Sequence, residues 1–255
     1  MKNNILELKD VTAGYGSREV LKNISFFVKE CSFTGIIGPN GSGKSTLVKA
    51  LGNFLKPGGG IIYYRGSNVR NITQKEYAKK VTVVPQETKT VFDYTVGDFV
   101  TMGRYPYTGF WGTLSKEDRT EIEEVLFTTG LNEYRAKSIN EMSGGEKQMV
   151  FLARALCQKT SLIVLDEPLT FLDIKHQKTI INILEKFNKE KGVTVLMVVH
   201  DINTVLKHCT DTIILDEGSV YASGKTEAIV NKETIRKVFE TEVEFVKCGD
   251  RNLFF

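Results

Sequence analysis

The sequence predicts an α/β fold, and three observations carry that prediction. Leu162-Ile163-Val164-Leu165 and Val195-Leu196-Met197-Val198-Val199 are unbroken apolar runs of strand length, as expected for strands buried on both faces. Ile5 to Val11 and Leu21 to Val28 alternate with period two, as strands of an antiparallel layer do. Gly38-Pro39-Asn40-Gly41-Ser42-Gly43-Lys44-Ser45-Thr46 joins the apolar run Phe33 to Ile37 to a helical pattern from Thr46 to Leu51. It fits G-x-x-x-x-G-K-[ST] without a gap.

That glycine-rich stretch is the candidate nucleotide-binding loop. Gly38, Gly41 and Gly43 permit backbone conformations closed to residues with a Cβ, so successive N–H groups can turn inward. A polyphosphate would rest on those donors and on the positive end of the helix that starts near Lys44. Lys44 would bring a full charge to the β/γ-phosphates, and Ser45 a hydroxyl for Mg²⁺.

Composition narrows the class. The 255 residues are 41% hydrophobic and 25% charged, enough core for one large α/β domain or two small ones. A net charge of +3, with 34 basic and 31 acidic residues interspersed, argues against nucleic acid as a partner. Met1-Lys2-Asn3-Asn4 leads into an alternating segment, so no secretory leader is expected, and Val195–Val199 is too short to span a bilayer. The four cysteines, Cys31, Cys157, Cys209 and Cys248, show no C-x-x-C and read as free thiols.

Taken in order, the chain supplies further candidates. Gly14-Tyr15-Gly16 reads either as a stacking platform for adenine or as an ordinary turn tyrosine. Gly60 to Gly66 reads as another strand of the antiparallel layer. Val81-Thr82-Val83-Val84-Pro85-Gln86 is a strand halted by proline. It leaves Gln86 at a strand's C-terminal end, where it can reach Mg²⁺ or an attacking water. From Thr95 to Leu131 the pattern turns helical, with Ser115 and Asp118 forming a capping-box-like start. Gly103 to Trp111 is rich in aromatic residues and reads equally as a protein-binding surface or as local core.

Met142-Ser143-Gly144-Gly145-Glu146 opens the next helix. Ser143 is a good N-cap, and Gly144 and Gly145 bare the first N–H groups, which makes a second anion cradle. The Leu162–Leu165 run ends in Asp166 and Glu167. Neighbouring side chains on a strand diverge, so Asp166 can hold Mg²⁺ through water while Glu167 faces the attacking water. Ile180 to Phe187 gives a helix, and Val193 to Val199 a buried strand ending at His200, a candidate contact to γ-phosphate. Thr212 to Ala222 reads as a hairpin, Lys232 to Phe239 as a helix and Val243 to Lys247 as a last strand.

The order Tyr15, glycine loop, Gln86, Ser143-Gly144-Gly145, Asp166-Glu167, Asp173, His200 resembles the ABC-type ATPase domain over essentially the whole chain. The resemblance implies a single domain over 1–255: a P-loop NTPase core with mixed sheet, an antiparallel β layer and an inserted helical subdomain at about 88–158. Gly103-Arg104-Tyr105-Pro106-Tyr107 and Leu172-Asp173-Ile174-Lys175-His176-Gln177 narrow the likeness to importer subunits for iron–siderophore, haem or cobalamin. It implies ATP and Mg²⁺, a head-to-tail homodimer with ATP between the glycine loop of one copy and Ser143–Gly145 of the other, and Asp173 among the nucleotide-site residues. It also implies integral membrane permease subunits, an indirect substrate-binding protein, and a peripheral place on the cytoplasmic face of the membrane. A soluble ABC ATPase of cluster assembly, translation or DNA repair is the alternative. Met142 for leucine, Glu146 for glutamine and Cys31-Ser32 for Gly-Glu depart from the usual pattern without removing a catalytic group.

Overall fold

The computed structural model describes residues 4–86, 92–108, 113–242, 245–248 and 251–254. Strands β1 (Asn4–Tyr15) and β2 (Arg18–Lys29) pair antiparallel, and their alternating burial matches the period-two pattern. Strand β3 (Phe33–Ile37) leaves this layer, is buried along its whole length, and delivers the chain to the glycine loop and helix α1 (Lys44–Leu51). Strands β4 (Gly59–Tyr64) and β5 (Ser67–Asn68) then return, completing an antiparallel sheet of order β2-β1-β4-β5. The strand expected to run to Gly66 stops at Tyr64. Arg65 and Gly66 both take positive φ, 45° and 79°, and make the turn into β5.

A short helix α2 (Gln74–Ala78) precedes strand β6 (Val81–Val84). Helices α3 (Val96–Thr101), α4 (Lys116–Thr128) and α5 (Gly144–Cys157) fill the chain between β6 and β7 (Leu162–Leu165). Helix α6 (Ile174–Lys191), strand β8 (Thr194–Val198), helix α7 (Ile202–His208) and the hairpin β9 (Asp211–Asp216) and β10 (Ser219–Lys225) follow. The second sheet has the order β10-β9-β3-β8-β7-β6 and is mixed, parallel throughout except for the β9–β10 pair.

The unbroken apolar runs follow from what lies on each side of this sheet. Ile163 and Leu165 of β7, Val195 and Met197 of β8 and Ile37 of β3 bury into one core with α3, α4, α5 and α6. Their neighbours Leu162, Val164, Leu196, Val198 and Ile36 bury into a second core with α1 and the antiparallel layer. Neither face of these runs meets water, so apolar residues stand at both parities; the buried polar residues of the sheet are threonines such as Thr34 and Thr194.

The Gly103–Trp111 stretch divides. Arg104 is buried, donates from Nε to Asp118 Oδ1 at 2.8 Å and from Nη1 to the Cys157 carbonyl at 2.9 Å, and its Cζ lies 3.9 Å from the centre of the Tyr107 ring. Tyr105 is exposed. Gly109, Phe110 and Trp111 fall outside the described residues. The expected capping box is complete: Ser115 caps α4, and Asp118 serves both that cap and Arg104.

Helices α8 (Thr226–Ile229) and α9 (Lys232–Phe239) precede a two-stranded hairpin, β11 (Phe245–Cys248) and β12 (Arg251–Phe254). The sequence reading expects one strand there, from Val243, which lies outside the described residues. No helix among the described residues is long and apolar enough to cross a membrane.

Candidate functional site

The glycine loop takes the predicted form. Gly41 and Gly43 sit at φ 81° and 99°, and Gly43 is the N-cap of α1 without any side chain to occupy the helix's free donors. A side chain is disfavoured at both by the left-handed backbone. Lys44 is buried, and its Nζ folds back onto the carbonyls of Gly38 at 2.9 Å and Pro39 at 2.7 Å. Burial lowers its pKa, and the charges of Glu167 and Asp166 partly counter the shift. Among the described residues Ser42 Oγ is one of two buried side-chain polar atoms without a partner. Polar atoms so placed are exceptions in folded proteins.

Ser45 Oγ donates to Asp166 Oδ1 at 3.4 Å, joining the glycine loop to the end of β7 across 121 positions. The backbone N–H of Asp166 still pairs with the Val84 carbonyl, but β7 itself ends at Leu165. Glu167 is not on the strand: its φ is 50°, a left-handed conformation. The strand-alternation argument for two divergent carboxylates is therefore corrected. They diverge because the chain kinks at Glu167, which costs of order 1–3 kcal/mol for a non-glycine residue. Asp166 is buried, and burial raises its pKa against the lowering effect of the Ser45 hydrogen bond.

Glu167 is the hub of the site. Gln86 Nε2 donates to its Oε2 at 2.6 Å, His200 Nε2 lies 2.6 Å from its Oε1, and the Thr170 hydroxyl donates to Oε2 at 3.4 Å. The ends of β6, β7 and β8 bring these residues together, as neighbouring parallel strands must when their C-terminal ends align. Glu167, Thr170, Gln177, His200 and Thr204 line a pocket of about 350 Å³. Strand β8 spans Thr194–Val198, so His200 follows it by two residues and remains exposed.

Ser143 stands at the helix N-cap as read. Ser143 caps α5 through a reciprocal box: its Oγ accepts from the Glu146 N–H at 3.3 Å, and Glu146 Oε2 accepts from the Ser143 N–H at 2.7 Å. Asp173 caps α6, with Oδ1 accepting from the His176 N–H at 2.8 Å, and both its oxygens lie 2.9 Å from His176 Nδ1. Tyr15 ends β1, is half-exposed, and has Lys49 Nζ 5.4 Å from its ring centre.

Sequence reasoning passed over Thr170 and Gln177. Thr170 lies three residues beyond Glu167, in a turn with no periodic signal. Gln177 sits within a motif noted only for its likeness, yet its Nε2 donates to the Leu169 and Leu172 carbonyls and so holds that turn.

Comparison with known proteins accords with this geometry. An ABC transporter domain profile matches residues 21–170, more than half of the chain. The iron(3+)-hydroxamate import ATP-binding protein FhuC of Bacillus subtilis is 35% identical over 243 residues, covering 95% of this chain and 90% of its own length. The ferric enterobactin transport ATP-binding protein FepC of Escherichia coli is 35% identical over 231 residues, covering 91% and 85%. Among solved structures, the dimeric post-hydrolysis state of the ATP-binding cassette MJ0796, bound to ADP and Pi, aligns with a TM-score of 0.76 at 32% identity. It covers 87% of this chain and 98% of that one. With its glycine loop, paired acids and capped cradle in this arrangement, the chain belongs to the ABC transporter family.

Proposed function

We propose that this chain is the ATP-hydrolysing subunit of a membrane importer for iron–siderophore complexes or a related chelate. It acts as a single ATPase domain with an inserted helical part at about 88–158. The observation that carries the proposal is the convergence of Gln86 and His200 on Glu167, beside a glycine loop whose Ser45 is already bonded to Asp166. The likeness to the hydroxamate and enterobactin proteins supports the chelate class.

The residues present suit the reactants. Gly38 to Thr46 offers backbone N–H groups, the partnerless Ser42 hydroxyl and the Lys44 ammonium to a triphosphate. Ser45 Oγ, Asp166 and the Gln86 amide oxygen form a hard-oxygen donor set of the kind Mg²⁺ takes, and the ion would offset charge on the phosphate oxygens. Lys44 exchanges two neutral carbonyls for phosphate oxygens, which reverses the effect of burial on its charge. Glu167 orients water and accepts its proton. His200 turns from Glu167 to donate to a γ-phosphate oxygen, and Gln86, bonded to the same carboxylate, registers the change. Tyr15 stacks on adenine.

Ser143 to Gly145 completes the site of a second copy, with Asp173 at the same junction. Alone, α5's cradle faces no phosphate of its own chain; in a head-to-tail pair it closes a water-excluded site, and the dimeric cassette supports that arrangement. Closure and reopening would be passed to integral membrane permease subunits on the cytoplasmic face, which receive their solute from a substrate-binding protein. Phe54 and Tyr105, both exposed, flank a groove of about 330 Å³ also lined by Met102 and Pro106, a fit for a permease helix. The test is to purify the tagged chain from membranes of its own host in mild detergent. Co-purification of an integral membrane subunit, with ATPase activity responding to a ferric chelate and its binding protein, is expected. Recovery free of any membrane subunit would overturn the proposal.

A further inference from the structure

His176 has no task in the reaction as described, yet it touches two parts of the site. A Cβ built on Gly145 would lie 2.7 Å from Cγ and 2.8 Å from Cδ2 of His176, so the imidazole packs directly on the glycine backbone. Nδ1, itself 3.0 Å from that Cβ position, is 2.9 Å from both carboxylate oxygens of Asp173. Gly144, by contrast, has nothing within 4 Å of where a Cβ would stand. One glycine of the cradle thus faces open space, and the other rests on a ring.

We propose that His176 is a positioning residue for the Ser143–Gly145 cradle. The ring is a strut: Asp173, the cap of α6, fixes it through Nδ1, and the atoms Cγ, Cδ2 and Nδ1 support Gly145 in the first turn of α5. The Ser143–Glu146 box fixes the cap's own hydrogen bonds but not the tilt of α5 against α6, and among the contacts described His176 bears on Gly145. Gln177 holds the preceding turn through the Leu169 and Leu172 carbonyls, and Thr170 in that turn bonds Glu167. The strut therefore ties the cradle, which serves the partner's nucleotide, to the turn that carries this chain's own Glu167. Donors aimed at developing charge act only when held in place, so the effect should fall on closure and turnover rather than on nucleotide capture. The inference rests on the composite-site reading of the proposed function.

The experiment uses the full chain carrying Glu167→Gln, in which turnover is expected to be slowed, and measures ATP-induced dimerisation by sedimentation. His176→Ala should weaken dimerisation about tenfold, the scale of one lost well-placed hydrogen bond. ADP affinity should stay within about twofold, since capture is left to the glycine loop. In the otherwise native chain, kcat should fall with KM little changed, and His176→Gln, whose amide can still reach Asp173, should recover part of both losses. If the Glu167→Gln parent dimerises and His176→Ala leaves both dimerisation and kcat within about twofold, the strut is refuted while the composite site stands. A parent that stays monomeric at saturating ATP overturns the composite site and the strut together.

Discussion

Replacing Glu167 by glutamine isolates the carboxylate's chemistry from its packing. The side chain keeps its size, so the 50° φ of residue 167 and the 10% exposure of its side chain need not change. What changes is hydrogen-bond polarity. Glu167 accepts from Gln86 at one oxygen and meets His200 at the other. An amide has a single oxygen, so one of those nitrogens must face an –NH₂ group or turn away. The variant also cannot take a proton from water. Loss of a general base costs about 10²–10⁴-fold in rate, or about 3–5 kcal/mol of barrier. Phosphate release should fall by that factor, while ADP binding to the glycine loop, measured by fluorescence titration, stays within about twofold. The ATP-bound dimer should live longer because its exit step is slowed. A kcat within threefold of the parent would refute the assignment of Glu167 as base, since about 0.7 kcal/mol is too small for a lost proton acceptor.

Arg104 and Asp118 form a buried pair with side-chain exposures of 7% each, so Arg104→Ala should destabilise the chain by about 3–5 kcal/mol, read by chemical denaturation. A loss below about 1 kcal/mol would mean that Asp118 is satisfied by its Ser115 cap alone. Glu146→Gln keeps the reciprocal cap with Ser143 but removes a negative charge one turn into the cradle helix. ATP-induced dimerisation should tighten about twofold to fivefold, and more so at low salt, as expected for 0.5–1 kcal/mol of relieved repulsion. Burial lowers the pKa of Lys44, so in the free chain its charge is lost at lower pH than an ordinary lysine's. Triphosphate affinity should therefore decline as pH rises, beginning below the usual lysine range. Lys44→Arg, which stays charged, should flatten that decline even if it binds more weakly throughout.

Much of this arrangement is legible in the residues themselves, because each motif is local and its physics is local. The spacing of Gly38, Gly41, Gly43 and Lys44 needs only a strand before it and a helix after it. The Ser143–Glu146 and Ser115–Asp118 boxes are complete within four residues. The continuous apolar β7 and β8 announce their double burial. What stays hidden is set by tertiary approach. Nothing local predicts that Glu167 leaves the strand in a left-handed turn, since its neighbours give no glycine to flag it. Nothing in the aromatic content of Gly103–Tyr107 says that Arg104 goes inside and Tyr105 outside; the partner that decides it, Asp118, comes 14 positions later. Cys31 sits at φ 57°, which accounts for the glycine common at that turn, and its Sγ lies 3.3 Å from the Gly192 carbonyl across 161 positions.

Long-range contacts of the same kind tie the segment at 93–95 to the entry of the Ser143 cap. Gln86 follows β6 by two residues, and further along the chain Asp93 bonds the Ser138 hydroxyl and accepts from Asn140 Nδ2 at 3.0 Å. Tyr94 and Thr95 add a carbonyl bond to the Ile139 N–H and a bridge to Ser138. Ser138 to Asn140 in turn leads through Met142 into the Ser143 cap. Residues 93–95 are therefore laced to the entry of the cradle by side-chain and backbone bonds at several positions. Water can replace the partners of the exposed Asp93, so the bond that resists separation is the one between the Tyr94 carbonyl and the N–H of buried Ile139, at about 1–3 kcal/mol for a buried group left unpaired. Asp93 and Tyr94 are thus held to Ser138, Ile139 and Asn140, at the entry of the Ser143 cap, by bonds that span 45 and 47 positions.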